Sequence, residues 1–368
     1  MDMTHSDDTS IIFVLNNSIC ADDDVRMSNA DSFKIINEYT PLLSPLSIFV
    51  IDAYTSGHEL PEKDAGVGLA RKIGMDAALQ LFHDQAGALV CLDADCTVSA
   101  DYLTALFEDG IAANIQAGCF PFFHPITPGT PNREAIIVYE IYLRYYLAGL
   151  RYSASPHAFH TIGSTMICSP VAYAAIGGMN KRKAAEDFYF MEKLSKSHQV
   201  VQLQRGAVYP SSRVSLRVPF GTGQRVYRFL SGERDEYLLY PPALFAALRD
   251  FHQLYYHESI DPVDLPDSVA ESHPDIVTFL ESQGFRAAWG KIAANSKSSA
   301  QIRYQKQIWM DSFRTLKLVH YLRDHSFPMM DMKGALTAFT GRADINELEA
   351  FLLLLRETDY PAFPKILV

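Results

Sequence analysis

The apolar run Ala86 to Leu92 ends in Asp93-Ala94-Asp95, which places two carboxylates at the end of a β-rich segment. Open α/β sheets bind ligands outside the carboxyl ends of their strands, and an acidic pair there suits a hard divalent cation. Mg2+ and Mn2+ take oxygen ligands, so carboxylate and diphosphate oxygens together can hold the ion while it neutralises a leaving diphosphate. Alone, such a triplet reads first as a turn with helix-capping duties, and its neighbours shift the balance. Gly66-Val67-Gly68-Leu69-Ala70-Arg71 lies one helix and one strand earlier, which brings Arg71 toward the same sheet edge, where a cation can meet a diphosphate. Gly66-x-Gly68 hints at a dinucleotide-binding turn, but Arg71 occupies the third glycine position of that pattern. Asp52 closes the run Ser47 to Ile51 and could hydrogen-bond a base or ribose, or simply form a turn. Glu186-Asp187 opens a helical pattern; the helix dipole favours carboxylates there, and behind an acidic metal-binding pair such a carboxylate can deprotonate an attacking alcohol.

The elements that must hold these groups are legible. Ile11 to Leu15, Ser47 to Ile51 and Ala86 to Leu92 read as strands, each ending in polar residues. Between the last two, Leu69, Ile73, Ala77 and Leu81 recur every four residues, predicting a helix over 66–81. A second helix is expected around Ser32 to Tyr39, a third from Ser99 to Glu108, and another from Ser169-Pro170 to Gly177-Gly178. The first hundred residues therefore read as repeated strand–helix units around a parallel sheet. From about Glu233 the pattern turns helical, over 242–257, 275–295, 300–325 and 345–357, with Asp344 and Glu347 spaced as a capping box. The helix from Glu134 to Tyr152 carries a polar stripe of Arg133, Glu140, Arg144 and Arg151. Its tyrosines (Tyr139, Tyr142, Tyr145, Tyr146) are either core or an acceptor wall, homodimer face or peripheral membrane contact.

At this point the residues from about Ile11 to Val208 resemble the GT-A-fold glycosyltransferases of family 2. The resemblance is carried by the opening strand to Ser18, the strand ending in Asp52, the Ala70-Arg71-x-x-Gly74 helix, Asp93-Ala94-Asp95, Gly177-Gly178 and Glu186-Asp187. It implies an α/β GT-A fold, Rossmann-like with a mostly parallel central sheet and flanking helices, over 11–230. A flexible tail over 1–10 and an α-helical accessory region over 231–368 flank it. It also implies a nucleotide-diphosphate sugar donor with Mn2+ or Mg2+. By position, Asp52 contacts the nucleotide, Arg71 and Gly74 lie on its supporting helix, Asp93 and Asp95 bind the metal-diphosphate, and Asp187, beside Glu186, is the base of an inverting displacement onto a hydroxyl-bearing acceptor. The first two loops read Leu15-Asn16-Asn17 and Asp52-Ala53-Tyr54-Thr55-Ser56 instead of the family's usual forms. Tyr209-Pro210-Ser211-Ser212-Arg213 replaces a metal-binding histidine, which makes Arg213 and Arg217 candidates to face the phosphates. The Q-x-x-R-W of processive synthases is absent, so a non-processive transfer is expected.

Leu92-Asp93-Ala94-Asp95-Cys96-Thr97 also resembles the D-x-D-x-T motif of haloacid-dehalogenase-type phosphatases. There Asp93 would be the nucleophile, Ser164 or Thr165 the phosphate-binding hydroxyl, and Lys183 the lysine. A non-catalytic nucleotide-sugar-binding or scaffold protein is the third reading. His157-Ala158-Phe159-His160 lacks the helix pattern or cysteine partner of a metal site and reads as packed histidines. The net charge of −11 argues against nucleic acid as partner. Five scattered cysteines without a C-x-x-C pair, and an acidic, polar start, predict a cytoplasmic protein, with the tyrosine helix as its one means of membrane contact.

Overall fold

Ile11 to Leu15 are β-branched, aromatic or aliphatic without interruption, and they form the body of strand β1 (Ser10–Asn16). The computed structural model describes residues 6–82, 86–216, 220–258 and 260–360. Arg217 lies outside the described residues, as do residues 1–5 of the expected tail; Ser6–Asp8 form a single 3-10 turn leading into β1. After helix α1 (Asp23–Tyr39), β2 (Ser47–Ala53) pairs with β1 in parallel, with Leu15 opposite Asp52. Helix α2 (Val67–Leu79) follows. Its Leu69 packs with Ala53 and Leu60, backed by Val14 and Ile73, so this helix is fixed against the β1–β2 layer.

The chain continues through β3 (Leu89–Val90), β4 (Thr97–Val98), α3 (Tyr102–Ala105), β5 (Ala117–Cys119) and α4 (Arg133–Tyr152). Next come β6 (Met166–Cys168), α5 (Pro170–Ala175), α6 (Glu186–Ser195), β7 (Val200–Gln202) and β8 (Val208–Tyr209). The start of α5 is as read from sequence: Ser169 Oγ accepts from the Ala172 N–H, Pro170 fills the first turn, and Gly177 and Gly178 follow its end at φ +74° and +76°. One sheet has the order β3-β6-β5-β7, with β5 and β7 parallel and β6 antiparallel to both its neighbours; β4 and β8 form a separate antiparallel ribbon. The molecule is α/β, but its sheets are small and mixed where a mostly parallel sheet was expected. Parallel neighbours need a crossover connection, but a helix in the connection does not dictate the direction of the next strand; β5 and β6 pair antiparallel although α4 lies between them.

The described residues divide into two compact units. One holds those up to Thr127 together with Thr161–Tyr227; the other holds Pro128–His160 and those from Arg228 onward. The expected boundary at 230 and 231 is close to the second junction, but α4 belongs with the C-terminal helices and not with the strands. Those helices are α7 (Thr222–Ser231), which runs across the junction, α8 (Pro242–Tyr255), α9 (Leu265–Ala270), α10 (Pro274–Ser282) and α11 (Phe285–Asn295). After them come α12 (Ser299–Trp309), α13 (Ser312–His325), α14 (Met332–Thr340) and α15 (Leu348–Asp359). The helices expected over 275–295 and 300–325 are each broken in two, at Gly284 (φ +68°) and at Asp311, whose carboxylate caps the Arg314 N–H. The expected capping box does not form, because Asp344 pairs with Arg342 and α15 starts only at Leu348.

The tyrosine face of α4 is internal to its unit. Tyr145 is fully buried and donates to the Tyr240 carbonyl at 2.8 Å, while Tyr142 and Tyr146 lie against the Tyr240 ring. Core packing therefore replaces the acceptor wall, dimer face or membrane contact considered for Tyr142, Tyr145 and Tyr146. Among the described residues no helix is long and apolar enough to cross a membrane.

Candidate functional site

Arg71, in α2, joins two sequence-distant carboxylates. One guanidinium nitrogen donates to Asp93 after β3 and another to Glu186 at the start of α6. The fork is 11% exposed, so these are desolvated, charge-assisted contacts. Burial alone would lower the guanidinium pKa; Asp93, then Cys91, Glu186 and Asp187, outweigh it and hold the group firmly charged. Gly163 makes room for the fork, since a Cβ there would sit 2.5 Å from both terminal nitrogens. The local residue types give Gly163 no functional mark; a glycine just before a buried strand is the one available signal.

The segment that delivers Glu186 and Asp187 packs on the N-terminus of α2. A Cβ on Gly66 would stand 2.8 Å from Lys183 Cα, and one on Gly68 would run into the Arg182 carbonyl. The Gly66-x-Gly68 pattern thus lets two backbones approach each other, the geometric service it gives elsewhere to a pyrophosphate. Asn180 braces the same segment: its Nδ2 donates to the Glu186 carbonyl at 2.7 Å and its Oδ1 accepts from the Arg182 N–H at 3.1 Å. Ala185 precedes α6 at φ +57°, a left-handed backbone that a non-glycine residue adopts only when its surroundings hold it there.

The two acidic residues therefore differ in role. Glu186 is buried and committed to Arg71, so it positions other groups. Asp187 is half-buried, and its carboxylate accepts from the adjacent Phe188 N–H at 2.7 Å. Burial raises the pKa of both. Arg71 opposes the rise in each; Asp93 strengthens it in both, and Asp187 adds to it in Glu186.

Asp95 reaches the cluster through the β4–β8 ribbon. Thr97 pairs with Tyr209, the chain leaves β8 through Pro210 to Ser212, and Arg213 Nε donates to Asp95 Oδ2 at 2.7 Å. Asp93 and Asp95 each give one oxygen to an arginine, and the other oxygen has no partner among the described residues. Carboxylate oxygens of this pair and the Cys96 sulfur lie within 4.8 Å of one another. Ligand atoms on opposite sides of one ion are about 4.2–4.4 Å apart for two oxygens or an oxygen and a sulfur, given bond lengths of roughly 2.1 Å to oxygen and 2.3 Å to sulfur, so a cation would draw these atoms slightly together. Four carboxylates (Asp93, Asp95, Glu186, Asp187) against two guanidinium groups (Arg71, Arg213) leave two negative charges to balance, which a divalent ion would do.

Other candidates fall elsewhere. Both oxygens of Asp52 serve its own loop, accepting from the Tyr54 and Thr55 N–H groups at 3.0 Å and engaging the Thr55 hydroxyl and His58 Nδ1. Burial would raise its pKa, but these four bonds hold it well below the carboxylate range. Asp52 is thus a turn anchor first, as its residue type allows. Gly74 faces β1, where a Cβ would meet Val14 at 3.1 Å; it is a helix-to-strand packing position with no ligand role in view. Of the groups a phosphatase would use, the Thr165 hydroxyl donates to the Ile162 carbonyl at 2.9 Å and Lys183 pairs with Glu62 at 3.5 Å. His157 and His160 are packed, on the Met310 carbonyl and on Asp359 respectively. In comparison with known proteins, the chain matches no family model, and no characterised protein matches its sequence.

Proposed function

We propose that the chain is a cytoplasmic, metal-dependent glycosyltransferase of GT-A type, moving a sugar from a nucleotide-diphosphate donor to an acceptor hydroxyl by a non-processive, inverting displacement. The observation that carries this reading is the Arg71 fork: by tying Asp93 to Glu186 it brings Asp187 alongside the Asp93/Asp95 pair. Asp93 and Asp95 would hold the cation through the oxygens their arginines leave open. When bound, Mn2+ or Mg2+ supplies charge neutralisation for the departing diphosphate.

The rest of the chemistry belongs to side chains. Arg71 is already charged and desolvated, and Arg213, half-exposed on its loop, can trade Asp95 for a phosphate oxygen as a bidentate donor. Asp187 takes the proton of the attacking hydroxyl. Its raised pKa makes it a stronger base than a solvated aspartate. A hydrolytic use of Asp93 would employ the oxygen that Arg71 leaves open and would need Lys183 to leave Glu62.

The test is a thermal-shift screen of nucleotide-diphosphate sugars with and without Mn2+, since a ligand that binds only the folded state raises apparent stability. Metal-dependent stabilisation by one nucleotide class, followed by transfer with inverted anomeric configuration, is the expected result. Turnover of a generic phosphomonoester without any sugar nucleotide would overturn the proposal.

A further inference from the structure

Within the helical unit, the turn that leaves α4, the end of α8 and Gln307 of α12 line a pocket of about 480 Å3, a size typical of small-molecule sites. Two polar atoms of its lining residues have no partner among the described residues: Nε2 of His252 and Oη of Tyr256. The two residues are four apart, so they share one face of α8 and its C-cap. His252 is 2% exposed, and its Nδ1 lies 2.8 Å from the Ser153 carbonyl. A carbonyl only accepts, so Nδ1 carries the proton and Nε2 presents a lone pair. Burial, with His157 acting in the same sense, lowers the ring's pKa to about 4 and keeps that lone pair available at neutral pH. Buried polar atoms are rarely left unpaired.

The other lining residues narrow the chemistry of a partner. No carboxylate, lysine or arginine lines the pocket, which leaves an anionic ligand nothing to pair with but imidazole. A purely apolar ligand would keep the His252 lone pair desolvated and unpaired. Gln253, His257 and Gln307 are its exposed polar members, and the two amides each donate and accept side by side, the pattern that neighbouring hydroxyls match. The rings of Tyr256 and Pro156 add apolar surface suited to the C–H face of a sugar.

We infer that this pocket is a binding site for a neutral, hydroxyl-rich ligand, a mono- or disaccharide, whose hydroxyls satisfy His252 Nε2 and Tyr256 Oη. It shares no residue with the Asp93/Asp95 cluster and stands whether or not that cluster transfers sugar.

The test is titration of the full-length protein, without metal or nucleotide, with methyl glycosides of glucose, galactose and mannose and with maltose and cellobiose, followed by saturation-transfer NMR and calorimetry. Glucuronate serves as the anionic control. At least one neutral sugar should bind and glucuronate should not. H252F and Y256F should each weaken that binding about tenfold, the cost of one lost hydrogen bond to a desolvated partner. Y256F removes a hydroxyl with no partner among the described residues, so its unfolding midpoint should equal that of the wild type. Should H252F fail to fold, Y256F decides alone, and unchanged sugar affinity in Y256F would overturn the inference. D95N, which alters the carboxylate cluster, should bind the sugar as the wild type does; binding that D95N abolishes and the two pocket variants keep belongs to that cluster and would remove the pocket from the account. Absence of binding by every neutral sugar would mean that the pocket holds water only.

Discussion

Asp187 and Arg71 show how one environment sets opposite demands on two charges. The guanidinium is buried among carboxylates and gains from them; the Asp187 carboxylate is raised by the same desolvation and is only partly relieved by Arg71. A group whose folded pKa lies above its unfolded value contributes stability below the unfolded pKa and loses it as pH rises through the folded one. Ionising Asp187 therefore costs the fold stability as pH rises, as a base held ready for chemistry often does. D187N should raise the unfolding midpoint at pH 7, by a free energy on the order of 1 kcal/mol, with the gain vanishing near pH 4, while transfer drops about 10²- to 10⁴-fold. Thermal melts at both pH values, run beside the transfer assay, check this; no gain at pH 7 would mean the carboxylate is more solvated than its surroundings imply. Gly163 is the complementary case. A methyl group 2.5 Å from the Arg71 nitrogens must displace the fork, so G163A should cost about 1–3 kcal/mol by overpacking and weaken nucleotide binding with it, measured by denaturant unfolding and calorimetry. A fully stable G163A that binds as wild type would show that Arg71 has room to move.

Between elements, the decisive contact is backbone on backbone: the N-terminus of α2 against residues 180–183. Gly68 faces the Arg182 carbonyl, which has no rotamer by which to retreat. G68A should therefore destabilise by about 1–3 kcal/mol and shift the Glu186–Asp187 segment away from Asp93, lowering turnover more than a stability loss of that size would by itself. Measuring kcat under conditions where the variant stays folded separates the two effects, and an unchanged kcat would uncouple the packing from the site. This also marks what was legible in the sequence. Strands β1 and β2, the Ser169-Pro170 start of α5, and Asp93, Asp95, Arg71 and Glu186-Asp187 all announce themselves locally, through apolar runs, caps and charged residues at strand ends. What stayed hidden depends on pairing across the chain. Two-residue ribbons such as β4–β8, which deliver Arg213 to Asp95, are too short to leave a periodic signal. Gly163 matters only because of a side chain more than ninety residues earlier. Asp344 and Glu347 had the spacing of a cap, but the nearby Arg342 offered Asp344 a stronger partner than a backbone N–H.

At the scale of the whole molecule, the helical unit carries the second concentration of charge, and it is the part whose polar stripe sequence reading underrated. Glu140 and Arg144 of α4 are fully buried. Glu140 accepts from Arg144 and Arg356, and Asp359 of α15 accepts from Arg144 at 2.8 Å, Arg151 at 2.5 Å and His160 at 3.2 Å. Removing one partner from such a buried network leaves an uncompensated charge and costs about 3–5 kcal/mol. Three arginines, two of them buried, already outnumber the two carboxylates, so a protonated His160 would add a third buried cation. Burial is the main reason its pKa is lowered, with Arg144 and Arg151 acting in the same sense and Asp359 against it. Burial would raise the Asp359 pKa, but His160, Arg144 and Arg151 together hold it low. Both groups have folded pKa values below their unfolded ones, so the stability they contribute is present above the unfolded values and is lost as pH falls, first through the His160 range below 6.5 and then through that of Asp359 below 3.8. Both tryptophans of the chain, Trp289 and Trp309, are buried in this unit, so their fluorescence reports its unfolding selectively. The unfolding midpoint followed by tryptophan emission should fall between pH 6.5 and 5 in the wild type and fall less steeply in H160Q, which has no proton to gain at this position while His252 and His320 of the same unit, also held low by burial, still do. Parallel slopes in the two proteins would mean that another group governs the acid sensitivity of the helical unit, and that the α4–α15 clasp tolerates a charged His160.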